Sequence, residues 1–117
     1  MKSEKAIELI IGALVLLGSY AILFSLHSIP TDITIQSSEF DPNVTDIYPG
    51  TVNWTNNDTK THRIVSDSGL FDSGNLSPGQ SYTYDFSGYK FGLYHYHDST
   101  NTSMKGIIQI EVDPGPY

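Results

Sequence analysis

The side chains in this sequence that could hold a metal or move a proton are few. The chain has four histidines, two methionines and no cysteine. Without a thiol there are no disulfides, no thiolate metal sites and no thiol redox chemistry. His95 and His97 lie two residues apart, and alternate side chains of a strand share a face. A His-x-His pair on a strand is a start to a zinc or copper site that needs one or two further ligands. The same alternation turns Asp98 to the opposite face with Tyr94 and Tyr96. If Asp98 looks inward, the two histidines look outward and stay apart from His62, unless a bulge interrupts the strand at Tyr96–Asp98. The blander reading is two surface histidines beside tyrosines. His62 has Ser66 and Asp67 nearby, the residue types of a hydrolytic triad, but close neighbours in sequence rarely make one. No Gly-x-Ser-x-Gly elbow, phosphate-binding glycine loop or His-Glu-x-x-His occurs. The chain is therefore not expected to be an enzyme by itself.

The formal net charge is −7. Such a surface repels nucleic acid and anionic headgroups, so no nucleic-acid partner is expected. Many of the carboxylates stand in turn sequences such as Asp41-Pro42 and Asp72-Ser73-Gly74, where they build turns. Asn43, Asn53, Asn57, Asn75 and Asn101 each begin an Asn-x-Ser/Thr triplet, and only Asn56 does not. The triplet marks glycosylation acceptors and agrees with an external location; a Thr/Asn-rich β protein making polar turns would give the same pattern at any one site.

The elements that must position these residues divide the chain into an anchor over residues 1–29, a domain over 30–113 and a tail over 114–117. From Leu9 to Leu26 there is no charge, and as a helix the run would cover about 27 Å, close to the hydrocarbon thickness of a bilayer. Lys2 and Lys5 precede it and no Lys or Arg follows until Lys60. This predicts one membrane helix with a cytoplasmic N-terminus and an extracytoplasmic domain. The alternatives are a cleaved signal peptide, for which Ser25-Leu26-His27-Ser28 is a poor exit, and a pilin-like leader cut near Lys5-Ala6, which Glu8 fits poorly. His27 at the membrane exit needs no special role. Tyr20 at mid-depth, and the small residues Gly12, Ala13, Gly18, Ser19 and Ala21, suit packing against another helix in a larger assembly.

After Pro30 the apolar period becomes two. Residues 31–36, 52–55, 82–86 and 108–112 alternate, bounded by Tyr48-Pro49-Gly50, Asn56-Asn57-Asp58, Asp72-Ser73-Gly74, Ser77-Pro78-Gly79 and Ser87-Gly88. Short strands with regular turns and no helical periodicity point to an all-β sandwich or barrel.

Three stretches together carry a resemblance: Pro49-Gly-Thr-Val-Asn-Trp-Thr-Asn-Asn-Asp58 followed by His62; Ser68 to Gln80 leading into the strand 82–86; and Gly92-Leu-Tyr-His-Tyr-His97 followed by Met104-Lys-Gly-Ile-Ile-Gln-Ile110. They resemble the cupredoxin family, especially the plastocyanin-like and halocyanin-like proteins of archaea, over nearly all of residues 31–112. The resemblance implies a Greek-key β-sandwich with a copper site at one end. The family's copper loop reads Cys, two residues, His, two residues, Met. Aligned on Met104-Lys105-Gly106, it puts the cysteine position on Asp98 and the second histidine on Asn101, while His62 and Met104 match their counterparts. The missing pair are the strong ligands of blue copper, whose colour and electron path depend on the thiolate. What remains could hold Cu(II) through His62 and Asp98, or Cu(I) through His62 and Met104, with little grip on either. Otherwise Asp98 and Asn101 cap the loop by accepting backbone amides.

Three functions follow, in this order. The first is a membrane-anchored module that binds copper weakly or hands it on, through His62, Met104, Asp98 and Asn101 or through His95 and His97. The second is a structural accessory subunit of a membrane oxidase or copper-dependent monooxygenase. The third is electron transfer, the family's usual activity.

Overall fold

The computed structural model describes residues 29–112. The anchor expected before Pro30 and the tail expected from 114 lie outside them. Among the described residues no helix is long and apolar enough to cross a membrane. The strands are β1 (Thr31–Ile35), β2 (Phe40–Asp41), β3 (Val44–Ile47), β4 (Thr51–Asn56), β5 (Ile64–Ser66), β6 (Ser81–Asp85), β7 (Gly92–Asp98) and β8 (Asn101–Ile110). They form two four-stranded sheets, ordered β2-β1-β4-β6 and β3-β8-β7-β5. This is the all-β sandwich that the period-two patterning predicts.

Alternation explains the packing. β4 reads half-buried, buried through its length, with Val52, Trp54 and Asn56 inward. On β1, Ile33 and Ile35 are inward, and β1 pairs with β4 in parallel, Ile33 beside Trp54. On β8, Met104, Gly106, Ile108 and Ile110 face the same interior. Sheet twist and small size make aromatic rings the main filling. Tyr96 meets Trp54 edge-on at 5.4 Å between centroids and Phe40 at 4.8 Å. Phe71, between β5 and β6, packs on Trp54, Tyr82 and Tyr84, covering the open edge of the core.

β8 begins earlier than its alternation suggests. The run 108–112 marks only its end; residues 101–107 belong to it as well, paired with β7 as far as Asp98↔Asn101. Their polar character reflects an exposed outer face and a tight hairpin turn, not a loop. At the Ser77-Pro78-Gly79-Gln80 turn, Gly79 has φ 85°, which suits glycine alone, and Gln80 N–H donates to Ser77 C=O at 2.9 Å.

Candidate functional site

The site grows out of the end of β4. Asn56 closes that strand with its side chain fully buried. A buried amide must satisfy its polar atoms, and this one does so by holding the next loop. Its Nδ2 donates to Lys60 C=O at 2.7 Å and to Leu76 C=O at 2.9 Å, while its Oδ1 accepts Asp58 N–H at 2.9 Å. That fixes the loop from 57 to 61. His62 then pairs backbone to backbone with Leu76 in both directions, at 3.0 and 2.7 Å, so its ring turns into the end of the sandwich.

There the His62 ring is held from both sides. Its Nε2 meets Asp58 Oδ2 at 2.7 Å, and its Nδ1 meets Asp98 Oδ2 in a short contact. His62 is 3% exposed and Asp98 0%. Asp98 comes from the far end of β7, opposite Ile64 of β5. Its second oxygen, Oδ1, accepts the Thr100 hydroxyl at 2.6 Å and Thr100 N–H at 2.8 Å, with Arg63 N–H at 3.4 Å.

Two ionised carboxylates facing both ring nitrogens require an N–H on each, since a bare ring nitrogen would set its lone pair against a carboxylate oxygen. The imidazolium satisfies both. Burial pulls the His62 pKa down, but the hydrogen bonds to Asp58 and Asp98 and their negative charge outweigh it, and the net direction is up from 6.5. For Asp98, burial pushes the pKa up, and the bonds from Thr100, His62 and Arg63 bring it net below 3.8. Asp58 is lowered chiefly by its bond to His62, then by Thr59 N–H.

These directions set a pH profile. A raised imidazole stabilises the fold fully below the unfolded value and loses that contribution as pH rises through the folded one; the depressed carboxylates contribute above the unfolded value and lose it as pH falls. Stability is therefore expected to plateau between the ordinary values of 3.8 and 6.5 and to decline on both sides. Urea unfolding across pH tests this. In a His62→Gln variant the decline above pH 6.5 should disappear; a wild-type curve flat from about pH 6 to 9 would contradict the clamp.

The other sequence-predicted residues make different contacts. Met104 is enclosed in the hydrophobic core at 1% exposure. Asn101 is half-buried at the start of β8 and accepts the Ser103 hydroxyl at 2.6 Å, so it caps its own strand and not the loop amides. His95 is exposed and His97 half-buried on the outer face of β7, while Tyr96 and Asp98 between and beyond them are buried. The register does shift between His97 and Asp98, yet the inside–outside alternation is kept and the histidines stay outside. His97 Nδ1 meets Asp67 Oδ1 at 2.6 Å. Asp67 thus serves His97, and Ser66 Oγ meets Ser68 Oγ at 3.1 Å, so neither forms a triad with His62. Among the glycosylation triplets, Asn43, Asn57 and Asn75 are exposed and Asn101 is half-buried. Asn53 lies within β4, donating to Asp32 and Thr55 and accepting from Thr83.

Asn56 and Asp58 are the functional residues that sequence reasoning assigns only to a turn. The signal was their place in the loop that delivers His62, where a short carboxylate can fold back on the ring.

As arranged, these groups do not fit a copper centre of the blue type. A copper ligand must present a lone pair, and both His62 nitrogens are directed at carboxylates. Asp58 and Asp98 lie on opposite edges of the ring and cannot both share one ion with it. Among the described residues no three His, Cys, Asp or Glu side chains gather to hold a metal.

Comparison with known proteins agrees with the architecture. The family model for the cupredoxin-like domain matches residues 9–110. Among solved structures, a purple cupredoxin from Nitrosopumilus maritimus is similar with 26% identity and a TM-score of 0.62, over 69% of this chain and 99% of that one. The Cu-containing nitrite reductase from Thermus scotoductus has 26% identity and a TM-score of 0.65, over 73% of this chain but 23% of the enzyme. An oxidised amicyanin mutant, at 18% identity and TM-score 0.64 over 70% of this chain and 82% of that one, shares the fold. No curated protein matches the sequence. A domain of this kind is typically an electron carrier that holds copper. With its two four-stranded sheets and a family match from residue 9 to 110, this chain belongs to the cupredoxin-like domain family.

Proposed function

We propose that this chain is a structural subunit of a larger membrane assembly, held outside the cytoplasm by its N-terminal apolar run, and that it does not carry electrons. The assembly we infer is a membrane oxidase or a copper-dependent monooxygenase. The observation that carries this reading is the His62 ring gripped on both nitrogens by Asp58 and Asp98. Where the family has a thiolate, Asp98 supplies an oxygen directed at the histidine. A proton on His62 then joins the strands that the metal would join in a copper-binding relative.

Lys2 and Lys5 before the uncharged run Leu9–Leu26 support the anchor. Weak copper binding ranks second, because His62 would have to leave both carboxylates and lose its proton to offer a lone pair. Electron transfer ranks third for want of a thiolate.

Mild detergent extraction of the full chain from its native membrane tests the proposal. The chain is expected to co-purify with other membrane proteins in fixed ratio, with far less than one copper per chain and no intense visible band after copper is added. A chain that always runs alone would overturn the subunit reading. One copper per chain, lost on His62→Ala, would overturn the clamp as its basis.

A further inference from the structure

The exposed large apolar side chains of the described domain are unevenly distributed. They are Ile29, Val44, Tyr48, Leu70, Phe91, Leu93 and Val112. All but Val44 and Leu70 gather at one end of the sandwich. Ile29 stands two residues before Thr31, the first residue of β1, which lies beside Val52 of β4. Tyr48 directly follows β3, whose Ile47 lies beside Ile110. Phe91 directly precedes β7, whose Gly92 also faces Ile110, with Leu93 next along. Val112 leaves β8 two residues after Ile110, and Glu111 N–H donates to Ile47 C=O at 2.7 Å, tying these exits together. The opposite end, with Asn57, Lys60 and the His62 clamp, contributes none to this set.

We propose that this end is a lipid-facing collar: Ile29, Tyr48, Phe91, Leu93 and Val112 bed into the interfacial layer of the bilayer. It rests on the anchor reading above. Phe91 is 72% exposed, Val112 64% and Tyr48 60%, exposures that bring no benefit in water. Aromatic rings and apolar tips gain by entering the headgroup boundary. The uncharged run ending at Leu26 reaches Ile29 within three residues. So short a connection, at no more than about 3.6 Å per residue, keeps the collar at the membrane if the run spans it. Among the described residues the charges at this end are Lys90 against Asp32, Asp46, Asp85 and Glu111, so the collar should favour zwitterionic over anionic lipid. The His62 clamp then points away from the membrane.

The absence of native cysteine permits single-site labelling of the full chain. Spin labels would be placed through Tyr48→Cys, Phe91→Cys and Val112→Cys, with Asn57→Cys and Lys60→Cys as distal controls, in phosphatidylcholine nanodiscs. The collar labels should be relaxed mainly by lipid-soluble oxygen and shielded from an aqueous nickel chelate, at least threefold relative to the distal pair. Equal aqueous exposure of both sets, in chains that remain bound to the nanodisc, would overturn the collar and leave the anchor standing. A chain that fails to enter nanodiscs would overturn both. Labels that are aqueous in nanodiscs but immobilised in native membranes would overturn the lipid assignment in favour of a protein partner.

Discussion

Asp98→Ala is expected to destabilise the folded chain by about 3 kcal/mol, because it breaks one side of a buried ion pair and leaves several buried donors unmatched, with only Asp58 left to face the His62 ring. The physical situation at Asp98 is unusually demanding. The carboxylate is fully enclosed. One oxygen holds His62 Nδ1, and the other takes the Thr100 hydroxyl and amide. Alanine would strand all of these donors at once. It would also remove the tie between the end of β7 and the loop that follows β4. Domains of this size have total stabilities of about 5–15 kcal/mol, so the loss is a large share. Asp98→Asn should recover part of it, since an amide oxygen still accepts from Thr100. Equilibrium urea unfolding of both variants at pH 6 measures the difference. A loss below about 1 kcal/mol for the alanine variant would mean that the clamp is not a buried ion pair.

Gly106→Ala should cost about 3 kcal/mol or more, at the upper end of what overpacking does. Gly106 has ordinary backbone dihedrals, so glycine is not required there for its conformation. It is required for space. A methyl group would lie 2.6 Å from Cε2 of Tyr96 and closer still to Cζ and the hydroxyl oxygen. The tyrosine ring lies directly across the strand, since Tyr96 pairs with Gly106. It cannot swing aside, because Phe40 and Trp54 flank it at 4.8 and 5.4 Å. A smaller ring-free side chain should relieve the clash. The cost of Gly106→Ala is therefore expected to fall by more than half in a Tyr96→Leu background. A double-mutant cycle gives the coupling directly. Additive effects would show that the ring is free to move.

How much of this was readable beforehand differs from residue to residue. The strands with clean alternation, around Ile33, Trp54 and Ile108, were legible because one face of each is core and the other is wet. The outward placement of His95 and His97 followed from parity with Asp98. The start of β8 was not legible, since a hairpin running through Asn101, Thr102 and Ser103 has polar residues on its exposed side and only Met104 to mark the interior. Nor was the clamp. Sequence alignment put Asp98 in the position of a lost ligand, but only three-dimensional placement could say what it does instead. Asp58 reaches the ring through a loop set by Asn56, and side-chain reach across a loop leaves no periodic trace. Gly106 was visible as part of the Met104-Lys-Gly run, yet the reason for it, a tyrosine on the neighbouring strand, is a matter of register.

The position of β8 between β3 and β7 bears on how the domain is made. β3 finds its partner only in a strand some sixty residues further along, Val44 beside Ile107. Contacts so distant in sequence slow folding, because a long stretch of chain must be closed before they form. During synthesis the second sheet therefore lacks the inner strand that joins β3 to β7 until almost the whole domain has emerged. A nascent chain stalled before Asn101 would display bare edges on both β3 and β7, which invite pairing with other chains. Such a domain stays open for most of its synthesis and closes only near the end of it.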